Sequence, residues 1–120
     1  MMVTFLLIVS LSFHLHADGY YFEGEHVVFI YPSNNADSEI FVSGNFNDWT
    51  KTDVNWKMKF NANASVFELK VPKERIQKKG QSFYEFSFVL DGHRLDADKT
   101  SENVIHCLGY GYRYTITFVQ

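Results

Sequence analysis

Three carboxylates, Asp91, Asp96 and Asp98, lie close together near the end of an alternating apolar run. A carboxylate pair is what glycoside hydrolysis requires, one acid beside one base or nucleophile. Acidic residues also gather at turns for solvation alone, and a domain this small has little room for a deep cleft. The five histidines offer less. His14 and His16 fall in an apolar leader, and His26, His93 and His106 lack the spacing of a His-Glu-x-x-His metal site. There is no Gly-x-Ser-x-Gly nucleophile elbow and no phosphate-cradling glycine loop. The single cysteine, Cys107, excludes an intramolecular disulfide and any site built from several thiolates. It stands between Ile105 and Leu108 in a candidate strand, where a buried small hydrophobe is expected. The expectation is a protein that is not an enzyme and holds no cofactor and no metal.

Binding chemistry is better represented. Trp49 closes the polar loop Ser43-Gly44-Asn45-Phe46-Asn47-Asp48-Trp49 and belongs to no apolar row. An indole presents a broad apolar face to the C–H side of a sugar ring, and its N–H reaches a polar partner. Alternatively, it folds over a sandwich edge and caps the core. Asn45, Asn47 and Asp48 suit sugar hydroxyls, but in a tight loop they also bond their own backbone. Phe46 reads as a core anchor. Beside the Asp91-Gly92 turn lie His93 and Arg94, and a guanidinium there either stacks flat or donates hydrogen bonds.

The net charge is −3. The longest basic cluster, Lys73, Arg75, Lys78 and Lys79, sits in a loop and is too small an electrostatic footprint for nucleic acid. Met1 to Leu15 is an apolar stretch of signal-peptide h-region length, too short for an ordinary membrane span. The expected organisation is a signal peptide over 1–17, cleaved after Ala17, a short segment over 18–24 and one domain over 25–120. Export to a secreted or periplasmic location follows, with no stable membrane insertion after cleavage. An uncleaved, membrane-tethering N-terminus and a buried first strand are the alternatives. Asn63-Ala64-Ser65 is a formal N-glycosylation acceptor.

These residues need elements to hold them, and the chain supplies strands. Aromatics make up 18% of it, with 12 Phe and 7 Tyr, and such residues favour pleated faces. Period-2 alternation runs through Val27–Tyr31, Ile40–Ser43, Trp56–Phe60, Phe67–Val71, Tyr84–Leu90, Val104–Cys107 and Tyr112–Phe118. A short strand near His93–Leu95 completes a hairpin about Asp91-Gly92. Trp56 heads its row with Met58 and Phe60, and so reads as core or edge packing. Lys73–Ser82 reads as a charged loop holding at most one helical turn. Seven to eight short strands with regular turns, and no long amphipathic helix, predict an all-β sandwich of two antiparallel sheets.

Ile40-Phe41-Val42 followed by Ser43–Trp49 resembles the signature of the glycogen-binding domain of AMP-activated protein kinase β subunits. That domain belongs to carbohydrate-binding module family 48, with the N-terminal domains of isoamylases and branching enzymes. Phe67–Pro72 looks like the family's middle strand, Phe86–Gly92 like its Tyr-x-Phe-x-Val-Asp-Gly strand and turn, and Asn103–Phe118 like its closing strands. The resemblance spans Glu25 to Val119 and implies an immunoglobulin-like early-set sandwich that binds α-glucan. In sugar-binding members two tryptophans stack on the glucan. The first corresponds to Trp49, and the second falls at Arg94 or near it. Ser87 stands where the family has a sugar-contacting lysine, and Asp96-Ala97 replaces the usual Asp-Pro. The resemblance therefore implies a sugar face around Trp49, Asn47, Arg94 and His93. The partner is an α-glucan or, if sugar binding has been lost, an unidentified protein. The chain stops at Gln120, just after the last expected strand, with no fused partner to be targeted, which favours the reading of a protein-interaction scaffold. The oligomeric state is left open.

Overall fold

A computed structural model describes residues 18–118, and the segment read as a signal peptide, 1–17, lies outside them. Among the described residues, nine strands form two antiparallel sheets. They are β1 (Tyr20–Glu23), β2 (His26–Pro32), β3 (Ile40–Gly44), β4 (Lys59–Asn61), β5 (Val66–Pro72), β6 (Tyr84–Leu90), β7 (His93–Arg94), β8 (Val104–Cys107) and β9 (Gly111–Ile116). The four-stranded sheet runs β1-β2-β5-β4. The five-stranded sheet runs β3-β6-β9-β8, with the two-residue β7 paired to β6. The sheets pack face to face, an arrangement consistent with an immunoglobulin-like β-sandwich.

Strand alternation makes the core. Val27, Phe29, Phe67 and Val71 face inward from one sheet. Ile40, Val42, Phe86, Phe88, Tyr114 and Ile116 face them from the other. The rings of Phe29 and Phe86 meet edge to face at 4.9 Å, and those of Tyr31 and Phe88 lie 5.3 Å apart. Burying side chains of this size contributes about 1.5–3 kcal/mol each.

Two stretches depart from the sequence expectation. Tyr20–Glu23, within the short segment at 18–24, is strand β1, hairpinned to β2 with Glu23 opposite His26. Gly24, at φ +58°, allows the tight turn between them. Trp56–Phe60, expected as one strand, divides instead. Val54–Trp56 is a 3₁₀ turn whose Asp53 carboxylate accepts the Asn55 N–H at 2.9 Å. The Met58 N–H then donates to Ile40 O at 2.8 Å, on the five-stranded sheet. Only Lys59–Asn61 pairs with β5 on the other sheet. The segment passes between sheets, so one continuous ladder is impossible. Trp56 and Met58 are nonetheless buried in the core, which is what their apolar spacing encodes.

Candidate binding face

The loop after β3 is built around Gly44. A Cβ on this residue would sit 2.5 Å from Glu85 O and 2.5 Å from the Phe46 ring, so only glycine fits. Phe46 drops into the core, its ring 5.2 Å from that of Trp56 and 6.2 Å from that of Phe29. Asn45 prolongs the β3–β6 ladder. Its N–H donates to Glu85 O at 3.1 Å, and its side-chain oxygen accepts the Glu85 N–H at 3.1 Å. Asn47 is spent on the loop itself. Its side-chain oxygen accepts the Gly44 N–H at 2.9 Å, and its amide donates to Val42 O at 3.0 Å.

The chain then turns sharply. Asp48 and Trp49 both have φ of +57°, in the left-handed region. Two successive non-glycine residues there cost about 1 kcal/mol or more each. The Trp49 N–H donates to Gly44 O at 2.9 Å and closes the turn. The indole is half-buried and meets two cations that the outer face of the five-stranded sheet carries.

Outward positions of that sheet receive it. Ser43 and Ser87 are register partners on β3 and β6, and both are fully buried. Their hydroxyls lie under the Arg94 guanidinium, whose Nη1 donates to Ser43 Oγ at 2.9 Å and to Ser87 Oγ at 3.1 Å. Small side chains on two adjacent strands leave the space that the guanidinium fills. Arg94 Nη2 approaches Trp49 O at 3.4 Å. The Trp49 ring centroid lies 5.2 Å from Arg94 Cζ and 4.0 Å from Arg113 Cζ. Each guanidinium–ring contact contributes about 0.5–2 kcal/mol, by burial. Arg113, on β9, also lies 5.3 Å from the ring of Tyr110. Its Nη1 meets Glu85 Oε1 at 3.5 Å, both side chains largely covered at 16% and 12% exposure. The Arg94 guanidinium is held below the usual arginine range by burial and by the neighbouring Arg113 charge. It stays cationic at neutral pH.

At the end of this face, the β8–β9 turn presents Leu108, 89% exposed, and Tyr110, 71% exposed. Cys107 is half-buried on β8, with Sγ 3.5 Å from Glu85 Oε1. It is not the enclosed hydrophobe expected, because its strand is a sheet edge and its side chain faces outward. Burial, then the Glu85 carboxylate, pushes its thiol pKa up.

The structure thus brings Trp49 and Arg94 together. It places the other two candidates elsewhere. His93 pairs with Leu90 and shares its side of the sheet, whereas Arg94 pairs with Val89 on the outer side. Asn47 has both ends of its amide engaged within the loop. Asp91 sets its turn, with φ of +47° followed by Gly92 at +86°, the backbone of a tight hairpin. Its Oδ1 accepts the Glu39 N–H at 2.8 Å. Arg113, Tyr110 and Leu108 complete the face and went unnoticed in the sequence. Arg113 had a signal, since it alternates with the inward Tyr112 and Tyr114. Leu108 and Tyr110 had only their position in a glycine-flanked turn.

Among the described residues, no group of three or more His, Cys, Asp or Glu side chains is placed to hold a metal. No family model matches this chain, and a search of curated proteins returns no match.

Proposed function

We propose that this protein is an exported, non-catalytic module that binds α-glucan on the outer face of its five-stranded sheet. The reading follows the resemblance of Ile40–Trp49 and Phe86–Gly92 to carbohydrate-binding module family 48. The observation that carries this reading is Trp49. A bulky residue is held in left-handed backbone so that its indole lies over a sheet face rather than in the core, with two guanidinium groups against it. Backbone strain of this kind persists where the surroundings over-determine it, and it gathers at ligand sites. Trp49 is half-buried, and Tyr110 extends the face with an exposed ring. Arg94 supplies, from β7, a cation on the very serine that stands in place of the family's lysine. With one tryptophan on the face, binding is weak and gains from a repeating ligand.

A second reading, a protein-contact surface on the same scaffold, is favoured by one observation. Leu108 and Tyr110 expose two large apolar side chains at a single turn.

Native gels containing glycogen, amylose or a β-glucan separate the two. The purified full-length protein is expected to be retarded by the α-glucans alone, and its Trp49→Ala variant to run freely. Free migration of the folded wild-type protein in every gel would leave the protein-contact reading.

A further inference from the structure

The face around Trp49 has more positive charge than a neutral glucan needs. It carries Arg94 and Arg113, and the carboxylate paired to either is Glu85, bound to Arg113. Among the described residues Arg94 has no carboxylate partner. Its hydrogen bonds go to two hydroxyls and a carbonyl, all neutral. A guanidinium has five N–H donors, so the Nε donor and one Nη2 donor of Arg94 have no partner among the described residues. Beside it, Arg113 Nε is buried without a partner among the described residues. Two cations held against one ring repel each other, and an incoming anion relieves that repulsion while meeting open donors. Guanidinium groups match oxyanions in geometry as well as charge.

We propose that the preferred ligand is a glucan bearing an oxyanion substituent, received by the free N–H donors of Arg94 while Trp49 stacks on the sugar ring that carries it. This rests on the α-glucan reading above. A phosphate monoester and a carboxylate on the glucan share this chemistry. The phosphate offers more acceptor oxygens and charge.

Calorimetry on the full-length protein tests it with three probes, neutral amylose fragments, the same fragments phosphorylated, and the same fragments oxidised to carboxylates. The phosphorylated fragments are expected to bind about tenfold tighter than the neutral ones, as hydrogen bonds to charged groups allow. The carboxylated ones should rank between. Arg94→Gln should bring the charged and neutral affinities together, and Trp49→Ala should abolish both. The gap should narrow, without vanishing, as salt rises. Circular dichroism establishes that each variant is folded. If Arg94→Gln does not fold, chemical shifts of the wild-type Arg94 Nε and Trp49 indole N–H titrated with methyl phosphate decide, and unmoved signals overturn the proposal. Equal affinity of the wild type for neutral and charged fragments overturns it and leaves the α-glucan reading standing. Absence of binding to all three overturns both. A gap that survives Arg94→Gln, or charged-fragment binding that survives Trp49→Ala, shows a diffuse polyanion effect and overturns the assignment to this face.

Discussion

Gly44 and Trp49 show how one residue's conformational limits shape a surface. Gly44 lets the loop pass under Glu85 O and over the Phe46 ring, where no side chain has room. Its N–H and C=O then anchor Asn47 and Trp49. Gly44→Ala is expected to cost roughly 2–3 kcal/mol, the upper part of the range for overpacking, because the clash is with backbone as well as with a core ring. Urea unfolding measures it, as a lower midpoint at an unchanged slope. A variant as stable as the wild type would show that the loop has another way to fold. Trp49 carries the opposite lesson. Its backbone is costly where it stands, and the contacts that offset the cost are those of its ring with two guanidinium groups.

At the scale of elements, the sandwich holds its loops by side chains anchored in strands. The Tyr84 ring is buried at the start of β6, but its hydroxyl reaches the charged loop over Lys73–Ser82. It accepts the Lys78 N–H at 2.9 Å and donates to Gln81 O at 2.8 Å. Tyr84→Phe keeps the ring and orphans those groups. The expected loss is about 1–2 kcal/mol, read by thermal or urea unfolding. Faster hydrogen exchange at the Lys78 amide would place the loss in the loop. The Lys73–Arg75 turn is the one short helical element that the loop's sequence admits. The passage from Trp56 to Asn61 follows a different rule. Apolar spacing there specifies which side chains are buried, not which sheet receives the backbone.

At the scale of the whole molecule, the residues described form one sandwich with a main core and a smaller cluster of Val28, Ile30 and Val66. Among them no helix is long and apolar enough to cross a membrane. The proposal of export makes a prediction at this scale. Protein recovered outside an exporting host should have a mass that begins at Asp18, as intact mass spectrometry would show. A species retaining the apolar leader, partitioning with membranes, would support tethering instead. Cleavage at this point would leave Asp18 at the new terminus, one residue before Gly19, whose carbonyl accepts the Ile30 N–H at 2.9 Å.

What the amino-acid sequence determined by itself was the class of fold and most of its strands. Period-2 burial is a local property, and Tyr84–Leu90 or Phe67–Val71 can face inward only one way. The tight turn at Asp91-Gly92 and the core role of Phe46 were legible for the same reason, since each depends on neighbours in the chain. The binding face was legible in part. Trp49 and Arg94 stood out as a loop indole and a turn cation, yet nothing local related them. Their meeting requires β7 to pair with β6, and Ser43 to register with Ser87, across 44 positions of sequence. Tertiary structure alone decided that Arg113 arrives from β9, that Asn47 is consumed by its own loop and that His93 lies on the other side. It also decided that Tyr20–Glu23 is a strand, because an edge strand is made by its partner's free hydrogen-bonding groups more than by its own pattern. Local sequence governs which way a side chain faces, whereas the company it keeps on that face depends on register between strands distant in the chain.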